Sequence, residues 1–166
     1  MKVSHFLLLI VILFQGNATC NEKNPGLNLA TMIEEKKENE VTNSLREAIK
    51  QNNLLYGKAF MAGDSSLFID RYDVNAWIMA PNMNSFTGPG AAVKFYTIAY
   101  RNMGIKNVIL ATTELYAEGD FATESGSFEL RGIKNEVLNK GKYLVLWKKT
   151  SGQWKMFRDC FNSNEP

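Results

Sequence analysis

The sequence predicts an α+β domain in which helices come first and antiparallel strands follow. Apolar residues recur at helical steps of three and four between residues 45 and 60. After Gly104 the chain has the pattern of four consecutive strands, separated by three short polar turns. The last of these hairpins, residues 141–163, is the most informative segment because both of its arms are strongly apolar.

The first arm of that hairpin is apolar on both faces. Side chains alternate across a strand, so Tyr143, Val145 and Trp147 point one way while Leu144 and Leu146 point the other. A sheet with one face in water would alternate apolar with polar residues. The pattern therefore predicts helices on one face of the sheet and a second subunit, in a homodimer, on the other.

The first twenty residues have the features of a secretory leader. Lys2 precedes an apolar run over residues 6–14, and small residues at 16–18 offer a cleavage site. The run is too short to span a bilayer. We therefore expect residues 1–20 to be a cleaved signal peptide and the protein to be secreted, or periplasmic in a bacterium, with no membrane span.

The mature chain is expected to be one domain. Residues 21–43 are polar and predict a linker or a frayed helix start, and the domain is placed at residues 44–163. The first long helix should begin with one of residues 42–44 as its cap and end at Gly63.

The remaining elements follow from turn residues and periodicity. Asp64 is predicted to cap a short second helix that reaches Tyr72, and residues 74–80 form a strand that stops at Pro81. A third helix should open at residues 88–90. The four later strands are expected at residues 108–117, 121–131, 137–149 and 153–162.

Composition excludes several classes of function. The formal charge of +2 gives no concentrated basic face, so we expect no nucleic-acid partner. The only histidine, His5, lies in the leader, which leaves the mature protein without histidine-dependent catalysis or an imidazole metal site. We expect neither a metal nor a cofactor.

The chain contains two cysteines, Cys20 and Cys160. In an oxidising compartment they are able to pair, provided that Cys20 survives processing and the geometry permits it. A buried Cys160 that acts as a small hydrophobic residue is at least as good an interpretation.

A set of short motifs over residues 45–163 resembles the SnoaL-like, nuclear transport factor 2-like superfamily, and within it an uncharacterised secreted branch. The resemblance implies a cone-shaped α+β barrel in which three N-terminal helices pack on a strongly curved, mainly antiparallel sheet, with a pocket at the wide end. The motifs are Tyr56, Ala62-Gly63-Asp64, Tyr72, Ala76, Pro81, Gly88, Glu124-Ser125-Gly126, Gly141-Lys142-Tyr143, Trp147, Gly152, Trp154 and Arg158-Asp159.

Ketosteroid isomerase, a member of that superfamily, allows a residue-by-residue test. Its oxyanion-binding tyrosine lies eight residues before the corner aspartate, and Tyr56 occupies that place. Its general base directly precedes the proline that ends the first strand, and here that residue is Ala80. Its protonated aspartate falls near Leu144, beside Tyr143, and neither is acidic. The resemblance therefore does not support isomerase chemistry.

Three residues are candidates for catalysis: Tyr56, Glu124 and Asp159. If Asp159 faces inward with Glu124 across the sheet, burial and like charge would raise one pKa and create an acid–base pair. The alternative is that Glu124 or Asp159 pairs with Lys142 or Arg158 to hold strand register or a dimer contact. The expected pocket is lined by Asn52, Tyr56, Trp77, Met79, Phe86, Phe95, Tyr100, Tyr143, Trp147 and Asp159.

Three functions from different classes remain open. The favoured one is a secreted protein that binds a small apolar molecule, such as one bearing a carbonyl group. The second is a cofactor-free isomerase, cyclase or hydrolase-like enzyme that uses Asp159 or Glu124 as its base. The third is a homodimeric association module.

Overall fold

A six-stranded sheet wraps around one long helix in the computed structural model, which describes residues 28–165. Leader residues 1–20, with His5 and Cys20, lie outside the described residues. The helices are α1 (Leu29–Ala62), α2 (Ser66–Ile69) and α3 (Ala91–Thr97), and a π-helical turn, Ile98–Asn102, continues α3. The strands are β1 (Tyr72–Met79), β2 (Phe86–Thr87), β3 (Asn107–Glu118), β4 (Phe121–Arg131), β5 (Val137–Thr150) and β6 (Gln153–Ser163).

The spatial order of the strands is β2-β1-β6-β5-β4-β3. Three hairpins join β3 to β6, and only β1 and β6 run parallel. Register shifts interrupt several of these pairs, and such bulges bend a sheet and increase its twist. The predicted α+β class and mainly antiparallel sheet are confirmed, and the four later strands lie where the sequence places them.

The turn between β5 and β6 shows why the hairpins close tightly. Ser151 and Gly152 both have positive φ, 51° and 78°. Two consecutive residues of positive φ suit the twist of a two-residue hairpin turn, and glycine adopts this conformation without steric cost. Tight closure fixes the register of β5 against β6, and with it the face on which each side chain lies.

Helix α1 begins earlier than the sequence predicts. Its N-cap is Asn28, whose side chain accepts a hydrogen bond from the backbone N–H of Ala30, so none of residues 42–44 is the cap. Residues 29–40 are exposed, and the apolar face of the helix first becomes buried at Leu45. Helical propensity, rather than packing, accounts for this first part, which contains many glutamate and lysine residues. The predicted end of α1 is confirmed, because Gly63 caps it with φ 71°.

The core lies between α1, α3 and the inner face of the sheet. From β5, Tyr143, Val145 and Trp147 are buried in it, while Leu144 remains 49% exposed on the outer face. Helices therefore cover one apolar face of the hairpin, as expected. No helix in the described part of the chain is long and apolar enough to cross a membrane.

Candidate functional site

A cavity of about 260 Å³ lies between the helices and the inner face of the sheet. Its wall is mostly apolar and includes four phenylalanines and three methionines. The polar side chains that reach it are few, and three of them come from the middle of long elements: Tyr56 of α1, Tyr143 of β5 and Asp159 of β6. Mostly apolar walls with a few convergent polar groups are typical of small-molecule sites.

Asp159 faces inward, which the sequence left open. It pairs with Val145 on one side and Ile78 on the other, both of which are buried on the inner face. Its Oδ2 accepts a 2.6 Å hydrogen bond from the Tyr72 hydroxyl. Burial raises the pKa of the Asp159 carboxyl to about 6, the Tyr72 hydrogen bond opposes this shift, and the negative charge of Glu124 adds to it.

Tyr56 stands beside the same group. Its ring packs on Phe60 and Phe68, with centroids 5.5 and 4.6 Å away. Burial raises the pKa of its hydroxyl, the charge of Asp159 raises it further, and hydrogen bonding with Tyr72 acts in the opposite direction. Tyr56, Tyr72 and Asp159 therefore form one polar group, in which both tyrosines stay protonated.

Tyr72 was not among the predicted site residues. The sequence placed it at the end of the second helix, whereas it is the first residue of β1 and is buried. An aromatic residue with a hydroxyl at the start of an inner strand was the available signal, since a buried phenol needs a hydrogen-bond partner.

Glu124 of β4 is completely buried and accepts four hydrogen bonds. Its Oε1 takes them from Asn53 (2.9 Å), Thr112 (2.6 Å) and Tyr143 (2.7 Å), and its Oε2 takes one from the Trp147 indole (3.0 Å). No lysine or arginine of the described residues forms an ion pair with it. The carboxylate thus joins α1 to three strands, and the alternative of a salt bridge to Lys142 or Arg158 is wrong.

Four of the ten predicted pocket residues line the cavity: Tyr56, Phe95, Tyr143 and Asp159. Trp77 and Met79 do not, because they alternate with the inward Ile78 and so lie on the outer face. Trp77 is 46% exposed, and the Arg158 guanidinium lies 5.0 Å from its ring. Which face of β1 is buried could not be inferred from its sequence, since residues on both faces are apolar.

The other four predicted residues stand behind or beside the wall. Asn52 is buried, but its neighbour Asn53 reaches the cavity. Phe86 contacts Phe95 edge-on from behind. The remaining two have other partners: Tyr100 stacks on Tyr96 beneath the Lys106 ammonium, and Trp147 donates to Glu124.

The sequence missed most of the apolar wall. Met103 follows the π-helical turn, which displaces the end of the third helix, and π-turns are frequent at functional sites. Many of the other missed wall residues are inward positions of strands or lie in loops, among them Met83, Ile105, Val108, Leu110, Phe128, Leu130, Met156 and Phe161. Alternation along a strand, as at Phe128 and Leu130 of β4, was the signal available.

Among residues 28–165, no group of acidic, cysteine or histidine side chains is placed to hold a metal ion. Cys160 is exposed on the outer face, so its interpretation as a buried hydrophobic residue is wrong. Its pairing with Cys20 stays a prediction, because Cys20 lies outside the described part.

Of the two residues compared with the acidic groups of ketosteroid isomerase, Ala80 and Leu144, only the first lies where the comparison expects it. Ala80 lines the cavity, as a residue at the position of the general base should. Leu144, however, points outward, so the inner face of β5 carries Tyr143 and Val145. The acidic group that reaches the cavity comes instead from the neighbouring strand, as Asp159.

Solved structures of similar fold come from several bacteria. The chain resembles a ketosteroid isomerase-like protein from Erwinia carotovora atroseptica with a TM-score of 0.58 and 19% identity, over 72% of this chain and 96% of that one. For an NTF2-like protein with a cystatin-like fold from Novosphingobium aromaticivorans the TM-score is 0.63 and the identity 14%, over 83% of this chain and 91% of that one. For an NTF-2 like protein of unknown function from Shewanella oneidensis the TM-score is 0.55 and the identity 16%, over 72% of this chain and 97% of that one.

The sequence matches no protein-family model and no curated protein. The structural likeness shows the fold: this is an α+β protein with the cone architecture of nuclear transport factor 2-like and ketosteroid isomerase-like proteins. Sequence identities below 20% support a shared architecture but not a shared activity, so the function has to be argued from the cavity itself.

Proposed function

We propose that this protein binds a small, mostly apolar molecule inside the cone. The observation that carries the proposal is the cavity of about 260 Å³, whose apolar wall is interrupted by the buried pair Tyr56 and Asp159. An apolar wall supplies affinity through burial, and a few fixed polar groups orient the ligand. A ligand carbonyl that accepts a hydrogen bond from the Tyr56 hydroxyl is one such polar contact.

Filling the cavity tests this proposal. Ala80 lines the cavity, and Ala80→Leu places three further carbon atoms there. We expect straight-chain alcohols from hexyl to decyl to bind the full chain in calorimetric titrations and to lose about tenfold or more in affinity for the variant. Ala117→Leu is the matched control, since Ala117 is exposed on β3. Equal binding to all three proteins, or no binding to any, contradicts the proposal.

A cofactor-free enzyme is the second candidate, and the raised pKa of Asp159, about 6, favours it. A carboxylate with a pKa near working pH is suited to general acid–base catalysis, and Tyr56 is the adjacent hydrogen-bond donor. Glu124 is a poorer base because four donors already occupy it. Retained turnover of any identified substrate by Asp159→Asn would remove this candidate.

We also propose that the outer face of the sheet forms a homodimer. Trp77 and Leu144 are 46% and 49% exposed there, and Phe157 is partly buried beneath Arg158. Exposed apolar area of this kind is typical of interaction surfaces. Export through the leader is likewise a proposal, and N-terminal sequencing of the mature protein tests it.

A further inference from the structure

Two polar groups that line the cavity, Tyr143 and Asp159, present hydrogen-bond acceptors to it. Tyr143 lines the cavity, yet its single hydroxyl proton is donated to Glu124 at 2.7 Å. A phenol whose proton is used in this way offers only its oxygen lone pairs to a ligand. The wall at Tyr143 therefore accepts hydrogen bonds from a ligand and does not donate them.

Asp159 offers a second acceptor. Its Oδ2 takes the hydrogen bond from Tyr72, while Oδ1 has no donor among residues 28–165. No fully enclosed side-chain oxygen in this part of the chain lacks a partner. Oδ1 is therefore not enclosed, and since Asp159 lines the cavity, a ligand is able to reach that oxygen.

The charge around the cavity has one sign. Among the described residues, no lysine, arginine or histidine lines it, and neither Asp159 nor Glu124 takes part in an ion pair. Arg158, the neighbour of Asp159 in sequence, lies over Phe157 and Trp77 on the outer face. A buried carboxylate without a positive partner is costly, and a cation that reaches it recovers part of that cost.

We infer that the ligand carries a protonated amine on an apolar body, and that its ammonium group binds Asp159 Oδ1 and the Tyr143 oxygen. This inference rests on the proposed function and names the chemical class of its ligand. An ammonium has three donors and no acceptor, which complements the acceptors of Asp159 and Tyr143. The aromatic rings of the cavity also attract a cation. An anionic ligand such as a fatty acid would meet the Asp159 carboxylate and, among the described residues, no positively charged side chain.

Four series of straight-chain probes with matched chain lengths, from hexyl to decyl, test the inference. They are primary amines, alcohols, methyl ketones and carboxylates, titrated into the full chain at about pH 7.5, where Asp159 is mostly ionised. We expect each amine to bind at least about tenfold more tightly than the alcohol and the ketone of its length, and the carboxylates most weakly. In Asp159→Asn, the affinities of an amine and of the alcohol of the same length should lie within about threefold of each other.

Asp73→Asn is the matched control, because Asp73 is also buried but does not line the cavity. This variant should keep the preference for amines. Alcohols or ketones that bind as tightly as amines, or amines that keep their preference in Asp159→Asn, overturn the inference and leave the proposed function standing. Failure of all four series to bind contradicts the proposed function itself. The two failures are thus distinguishable.

Discussion

Tyr72 donates a 2.6 Å hydrogen bond to Asp159, and this bond joins the first strand to the last one across 87 positions of sequence. Both side chains are buried, and they lie on the two parallel strands of the sheet. The bond fixes one carboxylate oxygen, while the other accepts no hydrogen bond from residues 28–165, and the residue lines the cavity. The most chemically distinctive group of this protein is thereby held in place by its fold.

Stability should depend on pH through Asp159. Its pKa is raised to about 6 in the folded state from 3.8, so the folded protein binds more protons than the unfolded chain between these values. Stability therefore falls as pH rises through this window, and the full penalty, on the order of 3 kcal/mol, is present above the folded pKa. Tyr72 and Glu124 are the titratable groups that act on it.

Urea unfolding of wild type and Asp159→Asn, from about pH 4 to about pH 8, measures this effect. We expect the variant to gain stability relative to wild type as pH rises, with most of the change complete by about pH 7. A stability difference that stays constant over this range would show that Asp159 titrates normally.

Glu124 should contribute mainly to the stability of the fold. Glu124→Leu leaves the donors of Asn53, Thr112, Tyr143 and Trp147 without their acceptor, and unsatisfied buried donors are costly. We expect a loss of about 3 kcal/mol or more in the free energy of unfolding. Glu114→Leu, at an exposed position of β3, is the control and should change it by less than about 1 kcal/mol. Similar losses in both variants would contradict the role given to Glu124.

Tyr56→Phe removes a hydroxyl from the cavity and leaves the packed ring. We expect the affinity for methyl ketones, whose carbonyl accepts from this hydroxyl, to fall about threefold to tenfold, since one hydrogen bond is lost. The control is Tyr96→Phe, whose hydroxyl donates to the Ala59 carbonyl instead of lining the cavity. Unchanged affinity in Tyr56→Phe, measured by calorimetry, would rule out the role of its hydroxyl.

The proposed homodimer gives a separate prediction. Leu144→Glu places a charge in the middle of the exposed outer face and should shift sedimentation from dimer to monomer, because burying an unpaired charge is costly. Met61→Glu changes another exposed apolar residue, on the helical side, and should leave the dimer intact. If wild type sediments as a monomer at all accessible concentrations, the outer face is not a self-association surface.

Local sequence patterns predicted the positions of the helices and strands well, but predicted less well which face of each strand is buried. The four later strands were placed correctly because glycine and polar turn residues interrupt long apolar runs. The pocket assignments Trp77 and Met79 failed because β1 is apolar on both faces, and a shift of one residue exchanges the inner face for the outer one. The early start of α1 was missed because its first turns bury nothing, so no apolar stripe marks them.

The site depends on contacts that no local pattern records. Tyr72 meets Asp159 only after the parallel pairing of β1 with β6, and Glu124 gathers donors from one helix and two strands. The sequence identified Tyr56, Glu124 and Asp159 as candidates from residue type and resemblance. It left open which of the two carboxylates faces the cavity.

The methionine methyl groups offer the most direct test of ligand binding inside the cone. Met83, Met103 and Met156 line the cavity, whereas Met61 lies on the helical side and Met79 on the outer face of the sheet. With methyl-labelled methionine, titration with octylamine or octan-1-ol should shift the first three resonances in NMR spectra and leave the other two unchanged. Shifts confined to Met61 or Met79, or no shift at saturating probe, would contradict a binding site within the cone.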